Sequence, residues 1–299
     1  MSTTQRLLRS AALGLSVLLA AGTASLALEG ATVLPDRTRV ASVGGSITEI
    51  VYALGEEGAL VARDSTSVYP EAVFKLPDVG YMRALSPEGV LSVNPTGILA
   101  LEGSGPKEAI DVLKKASVPY IQVPEGFSHD GILQKIRIVG KALGADAKAE
   151  ALAAEVGKQL SDAEALTKDI AQGERKRVLF ILSMQGGKIL ASGNHTAADG
   201  IIALAGGVNA VEGYPGYKQL TDEAAITARP DVILMMDRGG GTAVPDDELF
   251  AHPAIASTPA GQARRVIRMD GAYLLGFGPR TAAAIKDLAV ALYGDAVKK

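Results

Sequence analysis

Two rhythms of hydrophobic and polar positions alternate along this chain. Short, mostly apolar runs, Arg39 to Val43, Gly97 to Leu101 and Tyr120 to Val123, are separated by stretches in which apolar residues return every three or four positions. The same alternation resumes at Arg177 to Leu182, Asp231 to Met235 and Val266 to Met269. Continuous apolar runs predict strands buried on both faces, and the longer period predicts the helices that cover them. The expected class is therefore α/β with mostly parallel sheets. Ser46 heads one covering helix, which reaches Leu54.

Between the two groups of strands, Ala145 to Ile170 contains no proline, and Leu152, Val156, Leu160, Ala163, Leu166 and Ile170 fall at three- and four-residue spacing. This predicts one long amphipathic helix, roughly 36 to 39 Å from end to end. A helix of that length is a strut, whereas a Gly/Ser-rich linker would let its ends swing. An internal repeat assigns one lobe to each side of it. Leu85 to Leu99 recurs without a gap as Leu220 to Leu234, and each copy carries a Ser/Thr cap, an acid, a helix-stopping proline and an apolar strand. A looser match relates Ile50–Leu54 to Gly200–Leu204. The expected organisation is an N-terminal lobe over residues 28–144, a linking helix over 145–171 and a C-terminal lobe over 172–299.

Residues 1–27 stand apart. Arg6 and Arg9, with no acid, precede an apolar run from Ala11 to Ala21, and Ser25-Leu26-Ala27 offers small residues at the positions a signal peptidase reads. Cleavage after Ala27 leaves 272 of the 299 residues. The run is shorter than the roughly 20 residues that cross a bilayer. The chain is thus expected to be exported to the periplasm, not embedded in a membrane, and to work as a monomer. Export permits disulfides, but there is no cysteine, so stability must come from burial.

Losing the two arginines moves the formal net charge from −3 to −5. A mildly acidic chain without basic runs is a poor partner for nucleic acid. Three dispersed histidines and no cysteine argue against a zinc or manganese site, which needs clustered ligands. Gly44-Gly45-Ser46-Ile47-Thr48 departs from a nucleophile elbow at its last position, and Gly103-Ser104-Gly105-Pro106 lacks the Lys-Ser/Thr of a phosphate loop. An exported hydrolase is the alternative from another class, with few histidines to serve as bases. Aromatic residues make up only 4%, with eight Tyr, five Phe and no Trp, so each tyrosine can be weighed singly.

Two exported lobes joined by one long helix resemble the helical-backbone class of periplasmic binding proteins, which deliver siderophores, cobalamin or haem to ABC importers. Three stretches narrow the resemblance: Asp78-Val79-Gly80-Tyr81-Met82-Arg83-Ala84-Leu85-Ser86-Pro87-Glu88-Gly89, Gly193-Asn194-His195-Thr196-Ala197-Ala198-Asp199, and Met269 to Arg280 with its Gly276-Phe277-Gly278-Pro279-Arg280 end. They are similar to the haem-binding branch, the haemin transport substrate-binding proteins. The resemblance implies a carrier, not an enzyme, that holds ferric haem b between its lobes and delivers it to the membrane subunits of an ABC importer. A ferric siderophore or cobalamin carrier of the same class is the alternative.

The resemblance makes Tyr81 the iron ligand and Arg83 its support. A phenolate is a hard anionic donor suited to ferric iron. Its ordinary pKa near 10 calls for help to ionise, and in an extended segment Arg83 would project to the same side as Tyr81 and supply it. Arg238, after the apolar strand Val232 to Met236, falls where ligands of open α/β sheets bind; it either reaches a haem propionate or the open side of the haem, as the resemblance implies, or is a solvated loop arginine. Tyr69 and Tyr217, with Tyr214 and Lys218, are expected in loops lining the cleft, and Tyr273 in the second lobe's core. On the far side of the iron stand two candidates, Met184 in the loop Ser183–Gly187 and His195 at a helix start. A thioether favours ferrous iron, and a methionine after a buried strand usually packs. Glu88 and Glu223 hold equivalent repeat positions. They either favour the dipole of the helices they open or, as the resemblance implies, dock each lobe onto importer arginines.

Overall fold

The structure is a computed structural model that describes residues 33–237 and 244–297. The expected signal segment 1–27 and the candidate Arg238 lie outside the described residues. In the first lobe the chain runs through β1 (Val40–Val43), α1 (Gly45–Ala53), β2 (Leu60–Arg63), α2 (Pro87–Leu91), β3 (Gly97–Leu101), α3 (Lys107–Lys115), β4 (Tyr120–Val123) and α4 (His129–Ala142). The strands form one parallel sheet in the order β2-β1-β3-β4. β1 and β3 are buried at every position, which is why their sequences lack polar alternation.

α5 (Asp146–Ala165) is the strut. It stops short of the expected Ile170. Thr167 turns its hydroxyl back on the Glu164 carbonyl, and the N–H groups of Leu166, Thr167 and Ile170 bond three residues back, so the last turn tightens and the helix ends.

The second lobe contains β5 (Arg177–Gln185), β6 (Lys188–Ser192), α6 (Ala197–Leu204), β7 (Val208–Asn209), β8 (Tyr217–Leu220), α7 (Asp222–Ala228), β9 (Val232–Asp237), α8 (Asp246–Ala251), α9 (Pro253–Ala256), α10 (Pro259–Gln262), β10 (Val266–Asp270), α11 (Gly271–Leu275) and α12 (Thr281–Tyr293). Its sheet runs β10-β9-β5-β6-β8, with β7 also on β5. This sheet is mixed, because β6 pairs antiparallel with both β5 and β8. The strand expected to end at Leu182 continues to Gln185 and reverses through Gly186 and Gly187, whose φ values are 56° and 73°. Two left-handed residues make the tight turn that a twisted hairpin favours, so Ser183–Gln185 is strand where a loop was expected.

The repeat is visible in the structure. Ser86 accepts from the Gly89 N–H, and Thr221 accepts from the Ala224 N–H. The strands that follow, β3 and β9, are the parallel neighbours of β1 and β5. α5 packs on α4 of the first lobe and on α12 of the second.

Candidate functional site

At the carboxyl end of β2 the chain is knotted onto the head of α1. The buried Asp64 carboxylate accepts from the Gly44 N–H at 3.0 Å, from the Thr66 N–H and hydroxyl at 3.0 and 2.8 Å, and from the Ser67 hydroxyl at 2.9 Å. A Cβ on Gly45 would stand 2.6 Å from the Thr66 carbonyl oxygen. Gly44-Gly45-Ser46 is therefore a close-packing element. Ser46 is buried and accepts from Lys135 at 3.2 Å, so its hydroxyl serves the packing of this junction.

The chain then returns along β2, with the Val79 N–H donating to the Arg63 carbonyl and the Ser65 N–H to the Gly80 carbonyl, both at 2.9 Å. Asp78 fixes this return by accepting from Arg63, Ser65 and the Gly80 N–H. Gly80 has φ 102°, a left-handed conformation that a side chain rarely adopts, and it delivers Tyr81 to the surface.

Tyr81 opens a turn closed by the Ala84 N–H on its carbonyl at 2.8 Å. The expected extended segment is thus replaced by a turn, because Met82 is drawn into the protein against the Thr66 hydroxyl. Burial of Met82 leaves Tyr81 and Arg83 exposed on either side of it, with Tyr81 47% accessible.

The Arg83 charge is felt by two groups, Glu125 of the first lobe and Tyr217 of the second. Tyr217 opens β8 with its ring 6.2 Å from that of Phe180. Its hydroxyl lies near the head of α6, close enough to the Thr196 side chain and the Ala198 N–H to feel both. Burial pushes its pKa up, while Thr196, Ala198 and Arg83 pull it down. His195 immediately precedes that helix, exposed, with φ 58° and its N–H on Asp199. The turn bearing Tyr81 and Arg83 thus carries a charge that reaches Tyr217 of β8, beside the α6 head with His195 and Thr196.

Met184 is only 6% exposed and belongs to the second lobe's apolar cluster with Ile189, Leu220 and Phe250. The hairpin turns its side chain into that cluster, as expected of a methionine that packs. Tyr69 is exposed, and the Arg280 guanidinium lies over its ring at 3.9 Å. Tyr273, expected in a core, is half-buried. It donates to Asp287 at 2.9 Å, and burial first, then the acid next to it, hold its pKa far above the ordinary phenol value. Tyr214 packs on Gly193 and under Lys218. Glu88 and Glu223 are exposed at the heads of α2 and α7.

Two charged residues at the lobe junction received no role from the sequence: Lys135 went unremarked, and Arg280 stood only as the end of the Gly276–Arg280 motif. Lys135 is wholly buried on α4, and Arg280 pairs with Glu49. Lys135 had a legible signal, since it falls on the apolar stripe Ile132, Ile136 and Val139, where a charge is out of place. Among the described residues no cluster of His, Cys, Asp and Glu could hold a metal ion, and no helix is long and apolar enough to cross a membrane.

Residues 40–273 match the sequence family of periplasmic binding proteins. The solved periplasmic heme-binding protein RhuT from Roseiflexus sp. RS-1, in apo form, is 41% identical with a TM-score of 0.81, covering 88% of this chain and 100% of RhuT. The periplasmic heme-binding protein BhuT in complex with two hemes is 38% identical with a TM-score of 0.81, covering 87% of this chain and 98% of BhuT. Among sequence relatives, the uncharacterized ABC transporter substrate-binding lipoprotein YvrC of Bacillus subtilis is 29% identical over 270 residues, 90% of this chain and 84% of YvrC. The vitamin B12-binding protein of Yersinia pestis is 27% identical over 198 residues, 66% of this chain and 69% of that protein.

Proposed function

The chain belongs to the periplasmic binding protein family, and we propose that it captures ferric haem b between its lobes in the periplasm and delivers it to the membrane subunits of an ABC importer. The observation that carries this reading is the setting of Tyr81. An exposed phenol is held by Gly80 and the buried Met82 at the carboxyl end of the first sheet, two residues from a guanidinium. The fold is shared with haem-binding proteins at 38% and 41% identity.

Ferric iron binds an anionic oxygen in preference to softer donors, so Tyr81 gives up its phenolic proton as it ligates. Arg83, directed into the same space, offsets the phenolate charge and offers N–H donors to it. The head of α6 presents Thr196, Tyr217 and His195 to the opposite face of the haem. Tyr69 lines the cleft beside the first lobe's loop. Arg238, following β9, is assigned to a propionate. Glu88 and Glu223 play no part in capture and orient the carrier on its importer. As a family of carriers, these proteins bind and release their cargo unchanged.

Cobalamin is the second reading, favoured by the likeness to the vitamin B12-binding protein. Titration with ferric haem and, separately, with a cobalamin tests the cargo. The account expects one-to-one saturation by haem and no spectral or calorimetric response to cobalamin. The reverse result transfers the assignment to cobalamin.

A further inference from the structure

The Gly276-Phe277-Gly278-Pro279-Arg280 loop joins α11 to α12, and its Phe277, Gly278 and Arg280 touch the first lobe. We infer that this loop is a clasp that fixes the lobes in one relative placement, and that Arg280 is a positioning residue for haem capture, acting through Tyr69.

Lys135 is the first strand of the argument. Its side chain is 0% exposed, and a buried ammonium is costly unless each proton finds an acceptor. The Lys135 ammonium donates to the Ser46 hydroxyl at 3.2 Å, to the Glu125 carboxylate, and to the Phe277 carbonyl at 3.0 Å. Two of these acceptors belong to the first lobe and the third to the second. Lys135 is therefore satisfied only while the lobes stay together.

The surrounding packing is as specific. Phe277 is fully buried with φ 47°, and its ring meets Phe127 of the first lobe edge-on at 5.2 Å. A Cβ on Gly200 of α6 would stand 2.5 Å from the Phe127 carbonyl oxygen and 3.1 Å from the Phe277 ring. Gly278 sits against Ser46, where a Cβ would be 3.4 Å from the serine Cβ. Glycines at these points let the two main chains come into contact.

Arg280 completes the clasp and links it to the site. It grips the Glu49 carboxylate of α1 with two N–H groups at 2.9 and 2.5 Å, and Glu49 is 8% exposed. The guanidinium plane also covers the Tyr69 ring at 3.9 Å and approaches Tyr273 at 5.4 Å. Tyr69 belongs to the loop between Asp64 and Gly80 that ends in Tyr81. A residue of the second lobe thus steadies the loop that presents the iron ligand. A planar, bidentate, stacked contact is one that lysine cannot reproduce.

The proposal rests on the haem reading for one of its two measurements only. Because the chain has no cysteine, spin labels at V112C on α3 and I226C on α7, both exposed positions, report the distance between lobes in the ligand-free protein. The parent should give one narrow distance distribution. Arg280→Ala, and the milder Glu49→Gln should the first variant fold poorly, should broaden it, and Arg280→Lys should not restore it. The haem dissociation rate of Arg280→Ala should rise about tenfold or more, with the position of the iron–phenolate absorption band unchanged. An equally narrow distribution in the folded variants overturns the clasp. A broadened distribution with an unaltered dissociation rate overturns the positioning role. A parent that binds no haem refutes the cargo instead, and the distance measurement still decides the clasp.

Discussion

The Ser86 hydroxyl donates to the Glu88 carboxylate at 2.7 Å and accepts from the Gly89 N–H at 3.2 Å, so one side chain both caps α2 and holds the acid at its head. The Ser86 hydrogen bond keeps the Glu88 carboxyl below its ordinary range. A depressed carboxylate pKa means that the charge survives mild acid, and is lost only as pH falls below the unperturbed value towards the lower folded one. Ser86→Ala should move the Glu88 titration upward, as read by carbon NMR of the side-chain carboxyl. A midpoint unchanged by the substitution would remove Ser86 from this role.

Thr221 repeats the cap in front of Glu223, so each lobe offers an exposed acid at an equivalent helix head. Exposed charge pairs add little to affinity and much to registration and encounter rate. The Glu88→Ala/Glu223→Ala double variant should keep the parent haem spectrum and affinity while slowing haem transfer to the reconstituted importer, with the single variants intermediate. Transfer at the parent rate would leave both acids as helix-head residues only.

Arg83 can be located in the ligand-free protein by titrating a tyrosine it does not touch in sequence. Burial raises the Tyr217 pKa, and the Arg83 charge works against that rise. A cation stabilises the phenolate, so Arg83→Ala should shift the Tyr217 transition further up, followed by ultraviolet difference absorption with Tyr217→Phe as the reference. Haem affinity of Arg83→Ala should fall about tenfold, as expected for one charge-assisted hydrogen bond. If the Tyr217 transition stays in place, Arg83 does not face the second lobe.

Lys135 and Glu125 form a buried pair in which burial lowers the lysine pKa and raises the glutamate pKa, each opposed by its partner. Lys135→Met strands a buried carboxylate and should cost about 3–5 kcal/mol in denaturant unfolding. Lys135→Met/Glu125→Gln should recover most of that loss. Additive losses in the double variant would show that the two groups are not coupled.

The two lobes, the strut and the repeat were legible because strands buried on both faces leave continuous apolar runs, and Ser86 and Thr221 cap in the same way 135 residues apart. Tyr81 and Arg83 were legible through their motif, but not their geometry. The turn depends on Met82 being pulled inward by Thr66, a contact that residue spacing does not encode. Met184 was ambiguous because a glycine pair after an apolar strand serves equally as a loop or a hairpin, and antiparallel pairing with β6 decides the matter. The clasp was invisible for a different reason. Its hydrogen bonds join residues 142 and 231 positions apart, and no local pattern marks such partners. Lys135 on an apolar stripe and the Gly276–Arg280 motif mark one side of each contact without naming its partner.

The central claim is that ferric haem is held through the Tyr81 phenolate, and the absorption spectrum of the haem-loaded Tyr81→Phe variant beside that of the parent tests it most directly. Phenylalanine keeps the ring and its packing and removes only the ligating oxygen. The parent is expected to show a stoichiometric Soret band with the charge-transfer absorption of a phenolate-bound ferric iron, and the variant to lose the charge-transfer absorption and bind haem at least about tenfold more weakly. Identical spectra for parent and variant would contradict the account.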